Sequence, residues 1–180
     1  MDRGRLDSTF HLILVAGGET NFVADENMTQ RAFTTILEHF VVKGRAPHYT
    51  ELSGLLGISV QEAREVQRAA VAASPIAGCW MAHDTDYIES WAPFSNIPTH
   101  YFISVDGVQK WYAQCGMEAL AVRWLFPSQE VLIETRCLDC GDSIRVRTHD
   151  ETILDIDPES AVGYMPSPFA RSRAGSGAFN

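Results

Sequence analysis

His100-Tyr-Phe-Ile-Ser-Val105, Asp106-Gly107, Val108-Gln-Lys-Trp-Tyr112 and Ala113-Gln-Cys-Gly-Met-Glu-Ala-Leu120 follow one another without a break in the middle of the chain. Two short runs rich in β-branched and aromatic residues, joined by Asp-Gly, predict a hairpin. Its turn is of type I′, because both central residues must take positive φ. The β pattern then stops, and Met117, Ala119, Leu120 and Ala121 favour a helix. Cys115 therefore stands at or near a helix N-terminus, with Glu118 three positions on and on the same face. The helix dipole favours a thiolate there, so Cys115 is expected to be the most reactive thiol of the chain. In one reading Cys115 is a nucleophile or soft-metal ligand and Glu118 takes and returns its proton. In the other, Cys115 is a small buried hydrophobe beside a solvated carboxylate.

Towards the C-terminus, Pro127 ends the helix and three β-rich runs follow, at 131–135, 143–147 and 152–156. Residues 160–165 could add one more strand, and the tail 169–180 is small, polar and expected to be disordered. Cys137-Leu-Asp-Cys-Gly141 forms the turn between the first two of these strands. It has the form of a zinc-gripping knuckle, two thiolates on a tight turn, but a structural zinc needs four ligands. Cys79-x3-His83 could complete the set. A redox pair, or a thiol donor to the Cys115 site, are the other readings. A five-residue strand spans roughly 17 Å, enough to carry this turn away from Cys115. His39, His48, His100 and His149 stand in no motif, and Trp80, Trp91, Trp111 and Trp124 read as core or pocket lining.

On the N-terminal side, Phe33, Ile36, Leu37 and Phe40 recur at helical spacing after Met28, with Thr29 as N-cap and Gly44 as stop. Thr50 is expected to cap a short helix from Glu51 to Leu56, closed by Gly57. Ser59, with Glu62 three residues later, caps a third from Val60 to Ala73. Helix, short helix, turn and longer helix is the arithmetic of a winged-helix-like unit. A groove reader would want a basic third helix, whereas Arg64 and Arg68 are offset by Glu62 and Glu65. The net charge of −9 argues against nucleic acid as well, since phosphates would be repelled by most of this surface. Residues 75–98 read as loop, with one strand near Tyr87-Ile88, and residues 1–27 as a lead-in of unclear role. The first residues lack a signal-peptide pattern, and the apolar run 11–16 is too short to span a membrane. A reduced, cytoplasmic protein with functional or metal-bound thiols is the expectation.

Taken together, Pro93-Phe-Ser-Asn-Ile-Pro-Thr99, the strand ending in Val105-Asp-Gly107, Trp111-Tyr-Ala-Gln-Cys-Gly-Met-Glu-Ala-Leu120 and Cys137-x2-Cys-Gly141 resemble the alkylmercury lyase (organomercurial lyase) family. The resemblance spans about residues 28–166. It implies protonolysis of a carbon–mercury bond without an added organic cofactor, two cysteines holding the mercury and an acid moving a proton from thiol to carbon. Cys115 matches the first catalytic cysteine, and Glu118 stands where the family usually has aspartate. The family's second catalytic cysteine lies in a C-terminal segment, and no cysteine follows Cys140 here. The resemblance therefore implies either that Cys137 or Cys140 takes the second role, or that activity is weak or altered.

The expectation is an α+β fold: a three-helix, winged-helix-like part over residues 28–82 and a mostly antiparallel lyase-like β core over 83–168. Cys115 and Glu118 are the candidate catalytic residues, and Cys115, Cys137 and Cys140 the candidate metal ligands, with zinc or another soft metal at the CxxC. The expected partner is a small organometallic or soft-metal ligand, with neither nucleic acid nor membrane. The competing function is a non-catalytic metal-binding or regulatory protein.

Overall fold

The computed structural model describes residues 25–74 and 78–163. The lead-in run at 11–16 and the tail lie outside them, as do residues 164–165 of the last expected strand. Within 158–163 no strand forms.

Three helices come first. Helix α1 (Glu26–Lys43) buries Ala32, Ile36 and Phe40 along one stripe and ends at Gly44, whose φ of 73° closes the last turn on the Phe40 carbonyl. Its cap is Asp25 rather than Thr29, because the Asp25 carboxylate accepts the N–H of Asn27. Helix α2 (Tyr49–Leu56) is likewise capped one step earlier than expected, by His48. The side chain of Glu51 accepts the His48 N–H at 2.9 Å, so the histidine and not Thr50 begins the helix. Helix α3 (Val60–Ala73) starts with the expected Ser59–Glu62 capping box and buries Ala63, Val66, Gln67 and Ala70.

An eight-stranded, wholly antiparallel sheet follows, in the order β1-β2-β3-β5-β4-β6-β7-β8. Its strands are β1 (Cys79–Met81), β2 (Ile88–Trp91), β3 (Phe94–Ser95), β4 (Tyr101–Val105), β5 (Gln109–Ala113), β6 (Glu130–Arg136), β7 (Ser143–His149) and β8 (Thr152–Asp157). The Asp106-Gly107 turn has φ of 46° and 69°, and Val108 N–H closes it on the Val105 carbonyl at 3.0 Å, as a type I′ hairpin requires. The stretch read as loop with one strand near Tyr87-Ile88 supplies that strand as β2, and β1 and β3 besides. These strands are two to four residues long and find their partners at a distance, with Phe94 opposite Ala113. Periodicity over so few residues carries no signal. Between β5 and β6 lie a six-residue helix, α4 (Gly116–Ala121), and a 3₁₀ turn (Val122–Leu125).

Helices and sheet share one apolar core. Phe40 of α1 stacks on Phe94 of β3 with centroids 5.4 Å apart, and Trp111 of β5 packs on Phe126 at 4.8 Å. The Trp111 indole N–H donates to the Phe40 carbonyl at 2.6 Å, tying the end of α1 to the middle of the sheet. Trp91 and Trp111 are core residues, but Trp124 is 62% exposed. Its ring lies under the Arg123 guanidinium at 5.0 Å, and its N–H donates to Glu151, so an ion-paired surface patch satisfies it without burial. Arg64 and Arg68 of α3 both pair with Asp86 from the β1–β2 loop. Both guanidinium groups are thus held by one carboxylate within the fold. Among the described residues no helix is long and apolar enough to cross a membrane.

Candidate active site

Strand β5 delivers the chain to the site. Ala113, its last residue, pairs with Tyr101 of β4, and the next two residues are Gln114 and Cys115. Cys115 is the N-cap of α4, and its Sγ accepts the Glu118 N–H at 3.5 Å. The sequence reading of a thiol at a helix start beside a carboxylate is therefore the geometry seen. Its consequence for the thiol is the reverse of the expectation. Cys115 is 4% exposed, and burial pushes its pKa up to about 11, against the N–H bonds from Glu118 and Met117. A helix of six residues has little dipole to set against the loss of water. The resting group is the neutral thiol, and its proton is part of the site's inventory.

Glu118 responds to the same surroundings. Burial raises its carboxyl to about 7, with the Cys115 hydrogen bond acting in the opposite sense. The Gln114 amide, oriented with nitrogen towards the carboxylate, donates to Glu118 Oε2 at 2.7 Å and Oε1 at 2.9 Å. Its oxygen accepts from Ser90 Oγ of β2 at 3.1 Å. The carboxylate is thus held from behind by a side chain that is itself held by the sheet.

Two glycines let the walls close in. A Cβ at Gly116 would lie 3.2 Å from the Tyr101 ring, whose hydroxyl accepts the Gly116 N–H. A Cβ at Gly78 would meet Ala92 Cβ at 2.7 Å and Glu118 Oε1 at 3.3 Å. Only glycine permits the start of β1 to reach the carboxylate. Cys79 follows at once: it is buried, its thiol is raised by burial first, and it lies within electrostatic reach of Glu118. Tyr101, Gln114, Ser90, Gly78 and Cys79 were not assigned to this site from sequence. Gln114 abuts Cys115 and could have been suspected. The others arrive through the β1-β2-β3-β5 pairing, which no local pattern announces.

The CxxC lies elsewhere, in a defined relation to Cys115. Strands β5 and β6 both run antiparallel to β4, which separates them, with Tyr101 opposite Ala113 and Phe102 opposite Glu134. Their C-terminal ends therefore meet the same end of the sheet, two strand spacings or roughly 10 Å apart. The strand length that was expected to carry the CxxC away instead returns it to the Cys115 end. Cys137 is half-buried and Cys140 exposed, and all four cysteines are free. Cys79 and His83 do not complete a zinc set with them. Strand β1 is at one edge of the sheet, far from the β6–β7 turn, and the exposed His83 pairs with Asp84 at 2.8 Å. Among the described residues no three His, Cys, Asp or Glu side chains converge to hold a metal ion.

Chemically, the Cys115 site joins a soft nucleophile that keeps its proton to a carboxyl poised near neutrality, in a place poor in water. That suits a reaction in which sulfur takes a soft atom and a proton moves to whatever that atom leaves. Residues 94–175 match the alkylmercury lyase family, a span that runs from β3 through β8 and includes Cys115, Glu118 and the CxxC. A crystal structure of the mercury-bound form of MerB2 has the same fold, with a TM-score of 0.52 at 18% identity, covering 75% of this chain and 69% of that one. No curated protein matches the chain. Over residues 94–175, this chain is similar to the alkylmercury lyase family.

Proposed function

We propose that the protein cleaves carbon–mercury bonds by protonolysis at Cys115 and Glu118. The observation that carries this reading is the buried thiol–carboxyl pair, with Glu118 raised to about 7 beside a thiol that stays protonated. An organomercurial R–Hg–X meets the Cys115 thiol. As the S–Hg bond forms, the thiol proton passes to the Glu118 carboxylate. The resulting carboxylic acid then delivers that proton to carbon as the Hg–C bond breaks, giving R–H and Cys115–S–Hg–X. Atoms and charge balance, and neither the starting nor the final state adds a net charge to the buried site. Mercury is soft and thiophilic, and so the choice of sulfur follows. Gln114 keeps the carboxylate aimed, and Tyr101 fixes the start of α4.

Turnover is expected to be weak, because Cys115 is the one thiol seated on α4 with Glu118 and the CxxC stands about two strand spacings away. Helices α1–α3 are read as a brace for residues 83–168 rather than as a groove reader, given the pairing of Arg64 and Arg68 with Asp86. The whole is read as a cytoplasmic protein with reduced thiols. A second reading, non-catalytic soft-metal binding, is favoured by one observation: the CxxC thiols stand about two strand spacings from Cys115 and Glu118 rather than beside them. The two part on the product. Wild-type protein with an arylmercurial and excess thiol should release the arene, and Cys115→Ser should release none. Stoichiometric uptake of the mercurial by wild type with no arene released would establish the second reading and sink the first.

A further inference from the structure

The β6–β7 turn carries chemistry that the Cys115 reaction leaves unused. We propose that Cys137 and Cys140 form a surface site for a two-coordinate soft cation, Hg(II) or Cu(I), bound by both sulfurs. The turn sets the two free sulfurs side by side, three residues apart, before any ion arrives. The two thiols lie within reach of each other, the backbone N–H groups of Cys140 and Asp139 face the Cys137 sulfur, and the N–H and carboxylate of Asp142 face the Cys140 sulfur. Two S–metal bonds form, and both thiol protons leave to solvent.

The turn is also fixed in place. Gly141 N–H donates to the Cys137 carbonyl at 2.9 Å, Cys137 N–H to the Asp142 carbonyl at 2.8 Å, and Arg136 Nη1 to the Gly141 carbonyl at 3.1 Å. Asp139 and Asp142 add negative charge at the tip. The donor count selects the ion. Zinc needs four ligands, and among the described residues no three His, Cys, Asp or Glu side chains are placed to hold one ion. Two thiolates complete the shell of a soft d10 ion that prefers a linear pair of sulfurs. The site goes beyond the lyase reading and stands whether or not Cys115 turns over.

The test uses the full chain, reduced, freed of reductant and titrated with HgCl₂ or, in parallel, with ZnCl₂. Each cysteine is then scored for protection from iodoacetamide by peptide mass spectrometry. At saturation with Hg(II), Cys137 and Cys140 should be protected together, and the Cys137→Ser/Cys140→Ser variant should hold one equivalent fewer. Zn(II) should leave both alkylated. Full alkylation of either cysteine in the wild type saturated with Hg(II) would overturn the proposal without reference to any variant's folding. So would Zn(II) that protects the pair at one ion per monomer. Arene release plays no part in the readout, so failure here is separable from failure of the lyase reading.

Discussion

Cys115 and Cys137 stand at the same end of one sheet, each just past the end of a strand, yet their surroundings push them in opposite directions. Burial drives the Cys115 thiol up to about 11, outweighing the N–H groups at its helix start. Cys137, on an exposed turn, is drawn below the usual thiol range by N–H donors from Cys140 and Asp139 and by the Cys140 thiol. Both sulfurs accept backbone hydrogen bonds. What differs is water. A hydrogen bond to sulfur stabilises the thiolate only where the charge is not first penalised by desolvation. A cysteine at a helix N-terminus is therefore not a reactive cysteine by position alone. The buried thiol is suited to giving its proton to a neighbour, and the exposed pair to gripping an ion.

The sharpest way to break this contrast is at Glu118. Replacing the proton carrier, as in Glu118→Gln, should slow arene release by roughly 10²–10⁴-fold while the mercurial still binds Cys115. In wild type the active form is the protonated thiol with ionised carboxylate. The rate should thus rise with pH through about 7 and fall again towards about 11, macroscopic values that belong to the pair. A flat profile between pH 6 and 9 would count against the relay.

Next comes alkylation. At pH 8 Cys137 should react with iodoacetamide faster than Cys115 by on the order of a hundredfold, from thiolate fraction alone. Mass-spectrometric rates for each cysteine would reverse the assignment if Cys115 led.

Stability should carry the same signature. The Glu118 carboxyl is raised in the folded state from 4.5 to about 7. Below about pH 4.5 both states are protonated, and the stability associated with the neutral acid is fully present. Between about 4.5 and 7 the unfolded chain has lost its proton and the folded one has not, so stability falls as pH rises. The loss is on the order of 3 kcal/mol. Denaturant melts at pH 5 and pH 8 should show it, and Glu118→Gln should flatten it. Gly78→Ala crowds Ala92 and the Glu118 carboxylate and should cost about 1–3 kcal/mol. The smallest effect belongs to the exposed pair: Cys137→Ser/Cys140→Ser should change stability by less than about 0.5 kcal/mol. A large loss there would mean that the turn is structural after all.

How much of this could be read from residues alone follows the range of the interaction. The Asp106-Gly107 turn, the Ser59–Glu62 box, the Gly44 and Gly57 stops and the α1 stripe depend on atoms a few positions apart, and each was legible. So was Cys115 beside Glu118, because one turn of helix relates them. Where two local donors competed, as Asp25 with Thr29 or His48 with Thr50, the chain alone did not choose, since the winner depends on which N–H groups lack partners in the folded helix. Strands β1 and β3 were invisible for another reason, and of β2 only the strand near Tyr87-Ile88 was expected. They are held by partners up to 19 residues away in sequence, as Phe94 is by Ala113, and short strands have no period of their own. The direction of the thiol shift at Cys115 lay furthest out of reach. Sequence could determine that a thiol and a carboxyl would meet at a helix start. Only the tertiary structure, by bringing Gly78, Gln114, Ser90 and Tyr101 around them and taking the water away, decided which of the two would hold the proton.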